Sequence, residues 1–480
     1  MRWIPLLLAA LAAPALAGPD LPDFGSPADA ALSKDREAQI GRGVMLQLRN
    51  AGIVIDDPQL TEYLGSLGSQ IASHANNGDF RFNFFFVNDN QINAFALPGG
   101  FIGVNSGLLL ATDNENELAG VLAHEISHVT QRHIARSAYD SQRTSIASMA
   151  AMLAAMLLGA AANAGGEALE GIAAASQSMI AQRQLNFTRS NELEADRVGM
   201  EVLSQAGFDP NGMGTFFEEL SKRYGTTVEM LPAILQTHPV SSERVAEARE
   251  RARQLPKVEH TDGPGYALAK VRLQVLSAPT PEAALALFRD KTDSRVPADR
   301  YGLALAMMRV SLNDNAESIF RELMASSPTT IAFRIGNAEA LMADGSTDAA
   351  MAAYAEAVRL FPRNIPLTIS YAEALISAGR AAEAHQLLLD LLNNVAATPE
   401  QLRLIARAAN AQGDVGNAYF YMSYYYASLG NLPLAINQVR MALEMPNVNT
   451  IDRARYRARM NELLEYLPPE QRTHAAVGGH

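Results

Sequence analysis

The chain has 480 residues, of which 48% are hydrophobic and 19% are charged, enough to build more than one folded core. Its formal net charge of −12 argues against nucleic acid as a partner, because binding a polyanion requires a basic face. The chain contains no cysteine, which excludes disulfides and thiolate metal ligands. Any zinc would therefore be bound by His, Glu or Asp.

The N-terminus has the three parts of a secretory signal peptide. Arg2 supplies a positive start, an apolar stretch follows, and Ala15-Leu16-Ala17 is a small-x-small cleavage site. We expect residues 1–17 to be removed after Ala17 during export, and a cysteine-free exported chain suits the periplasm of a Gram-negative bacterium. The alternative is an ordinary N-terminal helix. Residues 18–33 are rich in Pro, Gly, Asp and Ser and are predicted to form an N-terminal arm.

The next segments change from helical to extended patterns. The apolar spacing of residues 34–73 predicts helices, whereas the aromatic run of residues 80–88 predicts a strand. Residues 92–111 contain two extended apolar pieces separated by Pro98-Gly99-Gly100. This pattern predicts a short β-ribbon that leads into a long helix over residues 113–133.

That long helix contains the sequence HEISH at residues 124–128. On a helix, residues four apart lie on one face, so His124 and His128 can bind one metal ion. Glu125 is close enough to accept a proton from a water molecule that attacks a peptide carbonyl. The alternative is an amphipathic helix whose histidines are simply satisfied polar groups.

A hydrolytic zinc site needs a third protein ligand. His133 is nine residues after His124, on the other side of a straight helix, so we expect it not to join the pair. In "SNELEADRVG" (190–199), Glu192 and Asp196 share a helical face, so that one can bind zinc while the other hydrogen-bonds a ligand imidazole. The alternative is a solvated acidic helix face.

Between these two motifs, residues 149–165 are nearly uncharged. A segment of about 17 residues is marginal for a membrane span. A buried helical hairpin or a flap near the site is favoured, while contact with a membrane surface is the alternative.

An internal repeat occupies the C-terminal half, after a break at "HTDGPGYA" (260–267). Alanines recur every 34 residues, and three glycines keep the same step: Ala316, Ala350, Ala384, Ala418, Gly345, Gly379 and Gly413. This period resembles the tetratricopeptide repeat, in which small residues let paired helices approach closely. Around Gly413 the frame shifts by half a repeat. The alternative is an Ala-rich helical array without repeat geometry.

HEISH, followed by Glu192-x-x-Ala195-Asp196, resembles the gluzincin metallopeptidases that include the CAAX prenyl proteases and their bacterial heat-shock relatives. The resemblance implies one zinc ion per chain, with Glu192 as the third ligand and Asp196 as the partner of a ligand imidazole. It also implies an extended substrate along an edge strand above the zinc, at Ala94, Phe95, Ala96, Gly99, Gly100 and Ile102.

The same resemblance gives a role to "LQTHPVSSERVAEAR" (235–249). It implies that His238 reaches the zinc as a fourth, gating ligand and keeps the enzyme latent, because a four-ligand site is closed. The alternatives are that His238 caps the helix beginning near Ser241 or binds substrate. Arg244, on the following helix, is expected to steady a substrate carbonyl or the oxyanion.

The expected fold is mainly α. An α+β gluzincin-type metalloprotease domain over residues 34–260 precedes an all-α tetratricopeptide-like domain over residues 266–470, with a tail at 471–480. A signal peptide combined with these two domains resembles a periplasmic branch of the family. That branch degrades stalled or misfolded outer-membrane β-barrel proteins and assists those that can still assemble.

The resemblance implies that the repeats dock on the β-barrel assembly machinery or on its substrates. Peripheral contact with the outer membrane through residues 149–165 is kept open. Two other functions remain as alternatives. One is a chaperone or adaptor with a latent zinc site, and the other is a membrane-associated peptidase acting on membrane substrates.

Overall fold

The structure is a computed structural model that describes residues 32–75, 80–141, 155, 189–224, 232–446 and 448–467. The predicted signal peptide, most of the arm and the predicted tail lie outside the described residues. Residues 149–165 do too, apart from residue 155. In the described parts of the chain, no helix combines the length and the apolar character needed to cross a membrane.

The first part of the chain is α+β. Its elements are α1 (Lys34–Asn50), α2 (Pro58–Ala72), β1 (Asn83–Val87), β2 (Ala94–Leu97), β3 (Phe101–Asn105), α3 (Ser106–Ala111), α4 (Glu115–Thr130), α5 (His133–Ser141), α6 (Arg189–Gln205), α7 (Asn211–Tyr224), α8 (Ala233–Thr237) and α9 (Ser242–Gln254). Side chains at several helix starts accept a backbone N–H of the first turn, as Ser33, Asp57 and Asn114 do. The predicted helices and strand of residues 34–88 and the predicted ribbon are confirmed.

The three strands form one mixed sheet in the order β1-β3-β2. β1 pairs with β3 in parallel, and β2 pairs with β3 in antiparallel fashion across the turn at residues 98–100. β2 is therefore an edge strand. β1 is the other edge, where Val54 forms an isolated bridge with Val87.

The helix α4 is buried on every side from Leu118 to Val129 and lies in the main core of this part of the chain. It packs against β2, α2, α6 and α7. Two glycines allow these close approaches: a Cβ on Gly120 would lie 2.7 Å from the Met213 backbone, and one on Gly199 would lie 3.1 Å from the Ala123 carbonyl oxygen. The sequence therefore places α4 in direct backbone contact with both neighbouring helices.

One prediction about this helix is wrong. Instead of running straight to residue 133, α4 ends at Thr130, and Arg132 has a left-handed backbone conformation (φ 56°). A new helix, α5, then begins at His133. The break changes the direction in which the His133 side chain points.

The remaining part of the chain is an array of paired helices. Its elements are α10 (Pro264–Ser277), α11 (Pro281–Ala286), a 3-10 turn (Arg289–Lys291), α12 (Pro297–Arg309), α13 (Asn313–Ser326), α14 (Ile331–Ala343), α15 (Thr347–Leu360), α16 (Ile365–Ser377), α17 (Ala381–Leu392), α18 (Pro399–Ala411), α19 (Val415–Ser428), α20 (Leu432–Glu444) and α21 (Thr450–Glu465). The repeat alanines are fully or nearly fully buried between neighbouring helices. The half-repeat shift is visible as the single helix α19 between Gly413 and Gly430, both with positive φ.

The array packs directly onto the α+β part. The helix α10 contacts α2 and α3, and α16 also contacts α2. A buried ion pair joins the two parts, because Arg272 on α10 donates to both carboxylate oxygens of Asp57 at 2.9 and 2.7 Å. Arg49, at the end of α1, pairs with Glu400 of α18. The repeats are therefore held against the α+β part by charge pairs as well as by helix packing.

Candidate metal centre

The two histidines of HEISH face each other from successive turns of α4. Their Nε2 atoms are 2.9 Å apart, and both side chains are buried. Helical spacing alone brings these two nitrogens to one point, as the sequence predicted. Together they can supply two ligands to one ion.

Glu192 reaches the same point from α6. Its carboxylate oxygens lie 3.5 Å from the Nε2 atoms of His124 and His128. Its side chain is also buried. Glu192, and not Asp196, therefore brings its carboxylate to the point where the two imidazole nitrogens meet.

His238 enters this cluster from the segment that follows α8. Its Nδ1 lies 3.1 Å from a Glu192 carboxylate oxygen and 3.3 Å from His124 Nε2. One ligand atom from each of the four residues lies within 4.8 Å of the other three. Three imidazole nitrogens and one carboxylate oxygen are a donor set that suits zinc. The residues present thus fit a bound divalent metal, with His238 in the fourth position.

The charges of the cluster favour a cation. Burial lowers the pKa of His124, but contacts with Asp196 and Glu192 outweigh burial and raise this pKa to about 10. Burial also opposes ionisation of Glu192, yet His238 and His124 hold the pKa of its carboxyl far below the usual range. The acidic groups therefore stay ionised and are balanced here by the protonated imidazole, whose proton a bound cation would replace.

Glu125 lies beside the ligands without joining them. Its side chain is fully buried, and among the described residues neither of its carboxylate oxygens has a hydrogen-bond partner. The His238 imidazole lies beside it, with Nε2 at 3.6 Å. A buried carboxylate with free lone pairs is suited to hold and deprotonate a water molecule.

Asp196 holds the back of the His124 imidazole. One of its oxygens lies 2.9 Å from His124 Nδ1, and Arg244 donates to both of its oxygens at 2.7 and 2.8 Å. The Arg244 guanidinium also contacts Glu192 at 2.9 Å and donates to the Pro239 carbonyl at 2.8 Å. Arg244 thus connects Glu192 and Asp196 of α6 to the segment that carries His238.

His133 and Glu194 also belong to this centre, although the sequence did not suggest it. His133 Nδ1 lies 2.8 Å from His128 Nδ1, on the side of the imidazole that faces away from the ligand cluster. Its Nε2 lies 3.2 Å from Glu194, which also pairs with Arg136. The break at Arg132 produces this placement, and no sequence signal announces a left-handed residue at an arginine.

The predicted substrate residues lie at different places in the sheet. Along β2 the backbone groups of Phe95 and Leu97 face β3, so those of Ala94 and Ala96 face the open edge. Ile102 lies on the central strand β3, where it pairs on both sides and is fully buried, so its backbone is not at the open edge. Gly99 and Gly100 form the turn, which packs against α1 and the Arg81 backbone.

The His238 segment is also attached to this edge. The Ile234 N–H donates to the Ile92 carbonyl oxygen at 3.1 Å, two residues before β2 begins. In the alternation of the strand, that carbonyl lies on the same side as the open groups of Ala94 and Ala96. The segment thus reaches both the ligand cluster and the start of the open edge.

Two family models match the chain. Residues 58–252 match Peptidase family M48, and residues 341–408 match Tetratricopeptide repeat. The first match contains all four ligand residues together with Glu125. The second lies within the helical array.

Curated relatives align with between 40% and 67% of the chain. The Beta-barrel assembly-enhancing protease of Escherichia coli is 40% identical over 315 residues, which are 64% of this chain and 63% of the relative. A Vibrio cholerae protein that provisionally bears the same name is 41% identical over 333 residues, 67% of this chain and 68% of the relative. The Schizosaccharomyces pombe Mitochondrial metalloendopeptidase OMA1 is 32% identical over 40% of this chain and 52% of its own length. About a third of each bacterial relative thus lies outside the alignment. These matches confirm the resemblance that the two zinc motifs and the 34-residue period predicted.

Proposed function

Since this chain belongs to peptidase family M48 and carries tetratricopeptide repeats, we propose that it is a periplasmic zinc endopeptidase for outer-membrane β-barrel proteins. It degrades those that are misfolded or stalled and promotes the assembly of others. The observation that carries this proposal is the convergence of His124, His128, Glu192 and His238 beside the Glu125 carboxylate, which has no hydrogen-bond partner among the described residues. The choice of substrate follows the names of the bacterial relatives.

In this proposal His124, His128 and Glu192 hold one zinc ion. Bound there, a zinc ion would supply Lewis-acid chemistry for the scissile carbonyl and for the attacking water. Glu125 accepts a proton from that water as it attacks and then delivers the proton to the leaving amine. Asp196 keeps His124 in the tautomer that presents Nε2 to the cluster.

His238 gates the reaction. A catalytic zinc keeps one position open for water or substrate, and His238, which lies beside the other three residues, would fill that position. It must therefore withdraw before a peptide can be cleaved. When it does, the Pro239 carbonyl next to it also leaves Arg244, whose guanidinium can then steady the oxyanion of the substrate.

An extended substrate pairs with the open edge of β2. The outward backbone groups of Ala94 and Ala96 give it main-chain hydrogen bonds, which recognise an unpaired strand independently of its sequence. Unassembled β-barrel proteins offer such strands, because barrel closure is what removes free edges. Phe95 and the turn at Gly99 and Gly100 then set the shape of the edge.

The repeats bind protein partners, and we assign them the β-barrel assembly machinery and its substrates. A stacked helical array offers an extended surface that binds other chains. Export through a signal peptide cleaved after Ala17 brings the protein to the periplasm, where the outer membrane is adjacent. Residues 149–165 supply a peripheral membrane contact in this proposal, and nucleic acid is not a partner.

One observation favours a second candidate, an adaptor with little proteolysis. All four ligand residues and Glu125 are buried in this arrangement, so the centre is closed to a peptide. In that case the cellular role would survive the loss of Glu125. Restoration of outer-membrane protein assembly by Glu125→Gln in a strain lacking the gene would favour the adaptor.

The decisive experiment compares casein cleavage by purified wild type, Glu125→Gln, His238→Ala and the control His74→Ala. We expect low wild-type activity, higher activity in His238→Ala and none in Glu125→Gln. His74 is exposed and far along the chain from the centre, so its variant should equal the wild type. Equal cleavage by wild type and His238→Ala would remove the gate, and cleavage by Glu125→Gln would overturn the mechanism.

A further inference from the structure

The two histidines of HEISH are held from behind by different groups. Asp196 lies 2.9 Å from His124 Nδ1, so a carboxylate lies directly against that nitrogen. Behind His128 there is another imidazole, with His133 Nδ1 at 2.8 Å from His128 Nδ1. An imidazole can hold His128 in place of a carboxylate only if the nitrogen that faces His128 is a hydrogen-bond acceptor. The position of the proton on His133 must therefore be fixed.

The hydrogen-bond pattern determines both tautomers. His128 presents Nε2 to the ligand cluster, so that nitrogen needs its lone pair and the proton lies on Nδ1. His128 Nδ1–H then donates to His133 Nδ1, which must be an acceptor. The remaining proton of His133 is therefore on Nε2, which lies 3.2 Å from the Glu194 carboxylate.

Glu194 ends this chain of contacts and is itself held. Arg136 of α5 donates to it at 2.8 Å, close to the surface. Glu194 is two residues from Glu192 on α6, so one helix supplies both a ligand and the group that fixes another ligand. The buried His133 connects Glu194 to His128, because the left-handed residue Arg132 turns the chain back toward α4.

We propose that His133 is a positioning residue of the metal centre, which fixes the tautomer and the ring orientation of His128 and is itself oriented by Glu194. The inference rests on the proposed function only in taking His128 as a metal ligand. Groups that orient a ligand imidazole in this way typically raise metal affinity by about 10- to 100-fold. Nothing in the HEISH motif requires such a residue.

The test measures zinc affinity of the purified full chain by competition with a chromophoric chelator. His133→Leu removes the acceptor and keeps the apolar volume, so we expect zinc affinity to fall about 10- to 100-fold. His133→Asn keeps an acceptor at the position of Nδ1, so it should retain affinity close to that of the wild type. Glu194→Gln should lie between them, and His74→Leu is the matched control.

A second measurement separates positioning from folding. The cobalt-substituted protein reports ligand geometry through its visible absorption bands, which should change in His133→Leu and not in His133→Asn. The metal-free proteins should unfold at similar temperatures. If His133→Leu does not fold, the comparison of His133→Asn with Glu194→Ala still tests the chain of contacts from Glu194 through His133 to His128. Glu194→Ala should lose zinc affinity, whereas His133→Asn should keep it.

Wild-type zinc affinity and an unchanged cobalt spectrum in His133→Leu would overturn the inference. So would an Asn variant as impaired as the Leu variant, because the role would then be one of shape. The proposed function fails in a different way, with no zinc bound by the wild type or with casein cleaved by Glu125→Gln. The two failures are therefore distinguishable.

Discussion

The ion pair between Asp57 and Arg272 should be a major stabilising contact between the protease and the repeats. Arg272→Met removes the guanidinium and keeps most of the apolar stem. It deletes two charge-assisted hydrogen bonds to Asp57 and one to the Tyr301 hydroxyl at 3.0 Å. The Asp57 carboxylate then stays buried, with the Leu60 N–H as its remaining donor among the described contacts.

The expected loss follows from the burial of this pair. Both side chains are only 11% exposed, so solvent screens the pair little. Removing one partner of a buried ion pair costs about 3–5 kcal/mol, because an uncompensated charge remains. Asp57→Asn preserves the helix cap but leaves the Arg272 guanidinium without a charged partner. In the double variant Asp57→Asn/Arg272→Met, the loss of stability should be about 1–3 kcal/mol smaller than the sum of the two single losses.

Urea unfolding followed by far-ultraviolet circular dichroism measures these changes in stability. The comparison requires that the slope of unfolding free energy against urea concentration is the same for each variant. Arg363→Met is the matched control, because Arg363 and Asp390 form an exposed pair and the midpoint should not move. A stability of Arg272→Met within about 1 kcal/mol of the wild type would refute the reasoning. Simple additivity in the double variant would show that the two groups do not interact.

Three further outcomes are expected. Gly120→Ala should destabilise the protein by about 1–3 kcal/mol, because its Cβ would meet the Met213 backbone. Gly65→Ala in α2 has open space around it and should instead stabilise the protein by about 0.5–1 kcal/mol. Equal urea midpoints for these two variants would contradict the packing argument. Ala96→Pro removes an outward N–H of the edge strand, so casein cleavage should fall while the circular dichroism spectrum is retained, and unchanged cleavage would argue against strand pairing. Zinc added to chelator-treated protein should raise the melting temperature by mass action and restore cleavage, whereas restoration by Ca²⁺ alone would exclude a zinc enzyme.

Local patterns predicted the parts of the centre that depend on helix geometry. His124 and His128 are four apart on one helix, so their convergence needs only the 3.6-residue period. The 34-residue alanine period gave the paired helices because each repeat packs only on its neighbours. The roles of Glu192 and His238 came from the family resemblance, since spacing along the chain does not say which helix lies opposite.

The contacts that were missed depend on tertiary structure. The helix through HEISH was expected to continue to His133, and a single left-handed residue at Arg132 broke it. Ile102 was expected at a strand edge, but strand order in a mixed sheet depends on which strands meet in three dimensions. Asp57 and Arg272 are separated by 215 residues, and no local pattern connects them.

The hydrogen bond from the Ile234 N–H to the Ile92 carbonyl gives the His238 segment a second role in the proposed mechanism. The gating segment occupies the beginning of the edge that a substrate strand would use, so it acts as a tethered competitor as well as a metal ligand. A tethered group has an effective concentration in about the millimolar range, which a dilute unfolded chain cannot match. In the proposed function, a chain bound by the repeats would acquire a comparable local concentration. Which proteins are cut would then depend on how long they stay bound nearby, more than on the sequence around the cleaved bond.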